Sequence, residues 1–278
     1  MLPTVYIVFS RRPQVVTEEL YDRWYQAHIS QVLGVPGFAA AARYDLVPAL
    51  DEPAEPDRYT SAAVYEIELS APETIAALAA ELSSGRMDLP DWFAEIRFSS
   101  WLADPLGQRI ERGGNEGNTL AQSLQVVFSD AGDAERPVSD ASFDGWYEQH
   151  LGEILSIPGF TSAQRYRLEE VTKPEGGTIP GRRLCIYTTS KPPAELRAEM
   201  ERMNLLSADS YSKLKDIDSS GPALPRWWHS VRFAAWNLIL VGERIEALTS
   251  RRRTEASPTA SSVRRSPSGR LRPGPGDR

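Results

Sequence analysis

The chain has 278 residues, 41% of them hydrophobic and 25% charged, with a formal net charge of −7. That is apolar material for one large or two small globular domains, and the acidic balance speaks against a nucleic-acid partner, which needs a basic footprint to displace counterions from phosphate. The single cysteine, Cys185, excludes an intrachain disulfide and any cysteine-rich zinc or iron–sulfur site, and is expected as a buried strand residue.

Met1-Leu2-Pro3-Thr4 shows no charged segment leading into an apolar stretch, and no run approaches the roughly 20 apolar residues of a bilayer span. The expectation is a cytoplasmic protein with no membrane partner. Residues 5–10 are β-branched and aromatic and read as a strand. Thr17, followed by Glu18 and Glu19, caps a helix along which Leu20, Trp24, His28 and Val32 recur at helical spacing, and Pro36-Gly37 stops it. Residues 38–46 and 59–69 are strand candidates separated by an acidic, proline-rich loop around 51–57. Ser70-Ala-Pro-Glu73 opens a second helix with a capping-box pattern, and residues 96–103 form a fourth strand. The order is β-α-β-β-α-β, a split βαβ arrangement.

The same order then recurs. Trp24-Tyr25-Gln26-Ala27-His28 returns as Trp146-Tyr147-Glu148-Gln149-His150, an offset of 122 (146 − 24). Val35-Pro36-Gly37-Phe38 returns as Ile157-Pro158-Gly159-Phe160, Arg43-Tyr44 as Arg165-Tyr166, and Val64-Tyr65 as Ile186-Tyr187 at that offset. Further on, Trp101 matches Trp236 at an offset of 135 (236 − 101), so the second copy carries a 13-residue insertion (135 − 122) within 191–222. The fold class expected is α+β: two tandem ferredoxin-like repeats, 1–111 and 120–248, joined by a linker at 112–119 and followed by a disordered basic tail at 249–278. A four-stranded sheet with both helices on one side leaves its other face bare, so the two bare faces should cover each other in one intrachain pseudo-dimeric barrel.

The Trp-Tyr-x-x-His helix, the Pro-Gly-Phe stop and the Arg-Tyr strand, each present twice, resemble the EthD-like branch of the dimeric α+β barrel superfamily. That resemblance implies a barrel of ferredoxin-like halves and a small apolar cleft between helix and sheet or inside the barrel. The superfamily includes cofactor-free cyclases and decarboxylases, monooxygenases, haem enzymes and isomerases, so the fold alone does not choose a reaction.

The candidate catalytic residues are His28 and His150, because imidazole titrates near operating pH; the alternative is that each caps its helix C-terminus. Strand alternation places Arg43, and Arg165 with it, toward the barrel interior, to hold a substrate anion or an internal carboxylate such as Asp45. Tyr65 and Tyr187 are mid-strand phenols that could orient a carbonyl or simply pack. Trp24, Tyr25, Trp146 and Tyr147 complete the expected substrate-binding set, and Trp92, Trp101, Trp227, Trp228 and Trp236 suit either a core or a planar ligand. His229 has no counterpart in the first copy, where Ala94 stands, and is either a specialised site residue or a surface histidine. No Gly-rich phosphate loop, Gly-x-Ser-x-Gly elbow or His-Glu-x-x-His motif occurs. The function expected is cofactor-independent proton transfer, as in a cyclase, dehydratase, decarboxylase or isomerase, on a hydrophobic carbonyl, aromatic or polyketide-like molecule. The alternatives are a non-catalytic small-molecule binding or assembly protein, and a haem-binding or monooxygenase member of the superfamily. No metal and no cofactor are expected, with haem left open because it needs only one axial His. The partner expected is a small hydrophobic ligand, and the assembly a monomer or a further homodimer of the fused barrel.

Overall fold

The computed structural model describes residues 3–48, 59–112, 123–130, 138–172, 182–203, 205 and 223–247. The acidic loop, the linker from 113 on, most of the segment expected to hold the insertion, and the basic tail lie outside the described residues. The elements are β1 (Thr4–Arg11), α1 (Glu18–Val32), β2 (Phe38–Pro48), β3 (Ser61–Ile67), α2 (Ala71–Ser83), β4 (Arg97–Glu111), β5 (Ser123–Asp130), α3 (Asp140–Ser156), β6 (Phe160–Thr172), β7 (Arg183–Thr189), α4 (Pro193–Arg202) and β8 (Arg232–Glu246). No described helix is long and apolar enough to cross a membrane.

The strands form one closed antiparallel barrel in the order β1-β3-β2-β8-β5-β7-β6-β4. Its two four-stranded arcs face each other across the lumen and are also hydrogen-bonded at both seams. Arg43 on β2 pairs with Val241 on β8, and Ala103 on β4 pairs with Leu168 on β6. Closure leaves no unpaired sheet edge among the described strands. In the lumen Phe9, Phe128, Trp101 and Trp236 pack largely edge to face, their ring centroids 5.1–5.6 Å apart. Trp101 and Trp236 are therefore core residues rather than parts of a ligand cleft.

The helices cover the outside of the barrel. Thr17 caps α1 by accepting from the Leu20 amide, and Ser139 caps α3 by accepting from that of Ser142. The capping box expected at Ser70 is not formed; its side chain makes no cap bond, and Thr74 Oγ1 donates to the Ser70 carbonyl instead. The buried face of α1 is Tyr21, Tyr25, Ile29 and Val32, so the expected stripe is offset by one residue, with Leu20 exposed and Trp24 and His28 at the flank. Gly37 (φ 106°) and Gly159 (φ 113°) turn the chain from helix to strand in a conformation that glycine alone adopts without strain.

Two further expectations are corrected. The fourth strand does not end at 103; β4 continues to Glu111, bulging between Leu106 and Ile110, and this extension prolongs the seam with β6 that starts at Ser100. Arg43 and Arg165 do not face the lumen. A bulge between Phe38 and Ala40 inserts one residue into β2 and inverts the alternation, so that Ala40, Ala42 and Tyr44 point inward and Arg43 points to α1; β6 is bulged between Phe160 and Ser162.

Candidate functional site

Between α1, α2 and the outer face of the first arc is a cleft of about 80 Å³. Its floor is Tyr6 and Ser10 on β1 and Tyr65 on β3; its wall is Trp24, Tyr25 and His28 on α1; Phe93 and Phe98 are at its rim. No Asp, Glu, Lys or Arg is among these lining residues. Helical spacing aligns Trp24 and His28 one turn apart, and their rings stack with centroids 4.9 Å apart and planes 17° apart.

Nδ1 of His28 is buried without a hydrogen-bond partner, and so is Oε1 of Gln31, one turn further on. Burial lowers the His28 pKa below the ordinary imidazole value, with the nearby Gln31 amide partly opposing the effect. The ring is thus neutral at pH 7, with one nitrogen available to accept a proton. It does not cap α1, whose last turn holds no basic residue.

Behind the floor, Tyr21 donates to Ser10 Oγ (3.0 Å) and Ser10 donates to the Tyr25 hydroxyl (3.5 Å). Arg43 lies over the Tyr25 ring at 4.9 Å and pairs with Asp22 at 2.5 Å, so its partner is Asp22 on the helix rather than Asp45. Burial raises the Tyr65 phenol well above its ordinary range, which keeps it protonated.

The matching positions of the second half are filled differently. His150 stacks on Trp146 (4.7 Å), but its Nδ1 is 2.6 Å from Glu153 Oε2, and Glu153 occupies the place of Gln31. His150 lies six residues before the end of α3 (156 − 150), too far inside to cap it. Trp228, at the position of Phe93, packs 4.7 Å from Trp146 and 6.2 Å from His150. Phe143 replaces Tyr21, and the Tyr147 hydroxyl is 3.4 Å from that of Tyr187. Arg165 pairs with Asp144, which also takes Arg183 at 2.8 Å. Burial alone raises the Asp144 carboxyl, but hydrogen bonds from Arg183 and Arg165 override it and hold it below the ordinary carboxylate range. Cys185 is buried and its thiol is pushed up to about 12 by desolvation, which makes it unreactive.

The structure therefore gathers Trp24, Tyr25, His28 and Tyr65 in one cleft, and Trp146, Tyr147, His150 and Tyr187 in a second cluster. It sets Arg43 and Arg165 behind them. His229 falls in a short 3-10 turn, Trp228–Ser230, and its side chain lies outside what is described. Sequence reading missed Tyr6, Ser10, Tyr21, Gln31 and Glu153. Two of these differences, Gln31 against Glu153 and Tyr21 against Phe143, were visible at the 122-residue offset.

Among the described residues no group of three or more His, Cys, Asp or Glu could hold a metal. At about 80 Å³ the first cleft is too small for a haem macrocycle.

No family model and no curated protein matches the chain. Among solved structures it is similar to an anthrone oxidase-like protein (11% identity, TM-score 0.49), with 89% of this chain and 95% of that one covered. A protein of Fusobacterium nucleatum assigned as a monooxygenase aligns at 10% identity and TM-score 0.43, covering 89% of this chain and 97% of that one. A protein assigned as a chlorite dismutase aligns at 12% and 0.45, covering 87% and 96%. These likenesses concern the path of the chain and carry no chemistry across.

Proposed function

We propose that the chain is a small-molecule enzyme whose working site is the first-half cleft, where His28 moves a proton on an uncharged, planar, carbonyl-bearing molecule without a cofactor. One observation carries this reading: a half-buried, neutral imidazole whose buried Nδ1 has no hydrogen-bond partner, set in an aromatic cleft without charged lining. Such a ring accepts the proton from a carbon next to a carbonyl, becoming imidazolium while the substrate becomes its enolate, and returns the proton to carbon or oxygen in the next step. Cyclisation, dehydration and isomerisation all use that pair of steps. The duplicated motifs and the EthD-like resemblance support the further reading that the chain is a one-chain pseudo-dimer with one half specialised for chemistry.

Deuterium exchange from D2O into the α-positions of small aromatic ketones tests the proposal. His28→Asn should abolish exchange and His150→Asn should retain it; unchanged exchange in His28→Asn overturns it. The stacking of His28 on Trp24 favours a second reading, ligand binding without turnover, which predicts saturable ketone binding and no exchange.

A further inference from the structure

Resting on the cleft reading just given, we infer that the Tyr65 hydroxyl is the hydrogen-bond donor that recognises a carbonyl oxygen of the ligand, and that Tyr21 and Ser10 are positioning residues that leave it free to do so. The comparison of the two halves carries the inference. In the second half the two phenols face each other, Tyr147 and Tyr187, 3.4 Å apart. In the first half Tyr25 is engaged by Ser10, which is engaged by Tyr21, and the Tyr65 hydroxyl makes no hydrogen bond among the described residues. Phe143 has no hydroxyl with which to build the same chain.

Tyr65 is 3% exposed and lines the cleft, and a phenol that meets the cleft without a protein partner marks a place where a ligand or water completes the bond. Its raised pKa keeps the proton on the oxygen, so it donates. With no cation or carboxylate in the lining, the oxygen it meets belongs to a neutral group: a ketone, aldehyde or quinone carbonyl on an apolar ring. A free carboxylate or phosphate would enter without a counter-charge, which burial penalises. Donation to the carbonyl also strengthens as charge moves onto that oxygen, so one contact serves recognition and the enolate alike.

The test is an NMR titration of the full chain with 1-indanone and with its carbonyl-free analogue indane. The wild type should prefer indanone by about tenfold, the worth of one good hydrogen bond. Tyr65→Phe should bring the ratio to about one while keeping the affinity for indane, and Tyr21→Phe and Ser10→Ala should each lower it part of the way by letting Tyr25 pair with Tyr65. Tyr187→Phe should leave it unchanged. A preference that survives Tyr65→Phe, or is lost equally in Tyr187→Phe, overturns the inference. Should Tyr65→Phe fail to fold, Tyr21→Phe and Ser10→Ala decide, and an undiminished ratio in both counts against it. Equal binding of the two compounds to the wild type refutes the Tyr65 inference and leaves the cleft standing; binding of neither refutes the cleft reading itself.

Discussion

Glu153 Oε2 lies 2.6 Å from His150 Nδ1 in the second half, while in the first half Gln31 leaves the matching nitrogen of His28 without a bond. One substitution, amide against carboxylate, separates a histidine held by a fully buried acid from one facing a cleft. Glu153→Ala should destabilise the protein by about 2–4 kcal/mol, because it strips a buried polar group of its partner. Ketone exchange should be unaffected. Chemical denaturation and the exchange assay together check both halves of that statement.

The reverse change, Gln31→Glu, sets an anion beside His28 and favours its charged form. The wild-type imidazole has a pKa lowered by burial, so proton abstraction should fail only as pH drops below about 6.5, through the folded-state value. The same group contributes stability that is complete above about 6.5 and lost as pH falls from there toward that value. In Gln31→Glu the acid limb of the pH–rate profile should move upward. Proton NMR of the His28 ring reads the titration directly, and a wild-type midpoint above 6.5 would contradict the assignment.

Asp144 is expected to matter more to stability than its first-half counterpart Asp22. It pairs with Arg165 and Arg183, both on buried strand positions, Arg183 being shared with Asp140, whereas among the described residues Asp22 serves Arg43 alone. Asp144→Ala should lose about 2–3 kcal/mol, between the values for exposed and fully buried pairs, and Asp22→Ala less. The carboxylate's pKa is depressed, so its contribution is present above about pH 3.9 and disappears as pH falls through the lower folded value. Thermal melts at pH 7 and pH 3 of wild type and Asp144→Ala should converge at the acid end.

Gly37 and Gly159 are matched helix stops with unequal surroundings. A Cβ on Gly37 would sit 1.9 Å from Thr74 Oγ1, whereas one on Gly159 would sit 3.0 Å from a Leu196 methyl. Both pay the left-handed backbone cost of about 1–2 kcal/mol when replaced by Ala. Gly37→Ala should exceed that by at least about 1 kcal/mol, because Thr74 is buried and bonded to Ser70. Equal melting temperatures for the two variants would contradict the packing.

Cutting the chain within the 112–119 linker separates the arcs joined by the β2–β8 and β4–β6 seams. Each half alone should aggregate or self-associate, since it bares the apolar lumen face and two sheet edges, and co-expression should restore a compact heterodimer. Size-exclusion with light scattering shows which occurs.

Much of this architecture was legible because repeated short motifs and helix punctuation are local signals. Trp24-Tyr25-x-x-His28, its second copy and the two Pro-Gly stops placed both helix–strand units, and Thr17 marked the start of α1. The face of β2 was not legible. Both of its faces are buried, so hydrophobicity could not choose between them, and a single inserted residue after Phe38 reversed the side on which Arg43 falls. The length of β4 was not legible because Pro105 and Gly107 are poor strand residues, yet they sit in or beside a bulge of a continuing strand. The cleft's hydroxyl chain escaped because Ser10 and Tyr21 meet only once β1 and α1 are packed.

The central claim is that the first-half cleft is the working site. A crystal structure of the full chain with 1-indanone tests it most directly. The account predicts the ketone ring between Trp24 and Tyr65, its oxygen within about 3 Å of the Tyr65 hydroxyl and its α-carbon facing His28. A ketone bound instead beside His150, or in the barrel lumen between Trp101 and Trp236, would contradict it.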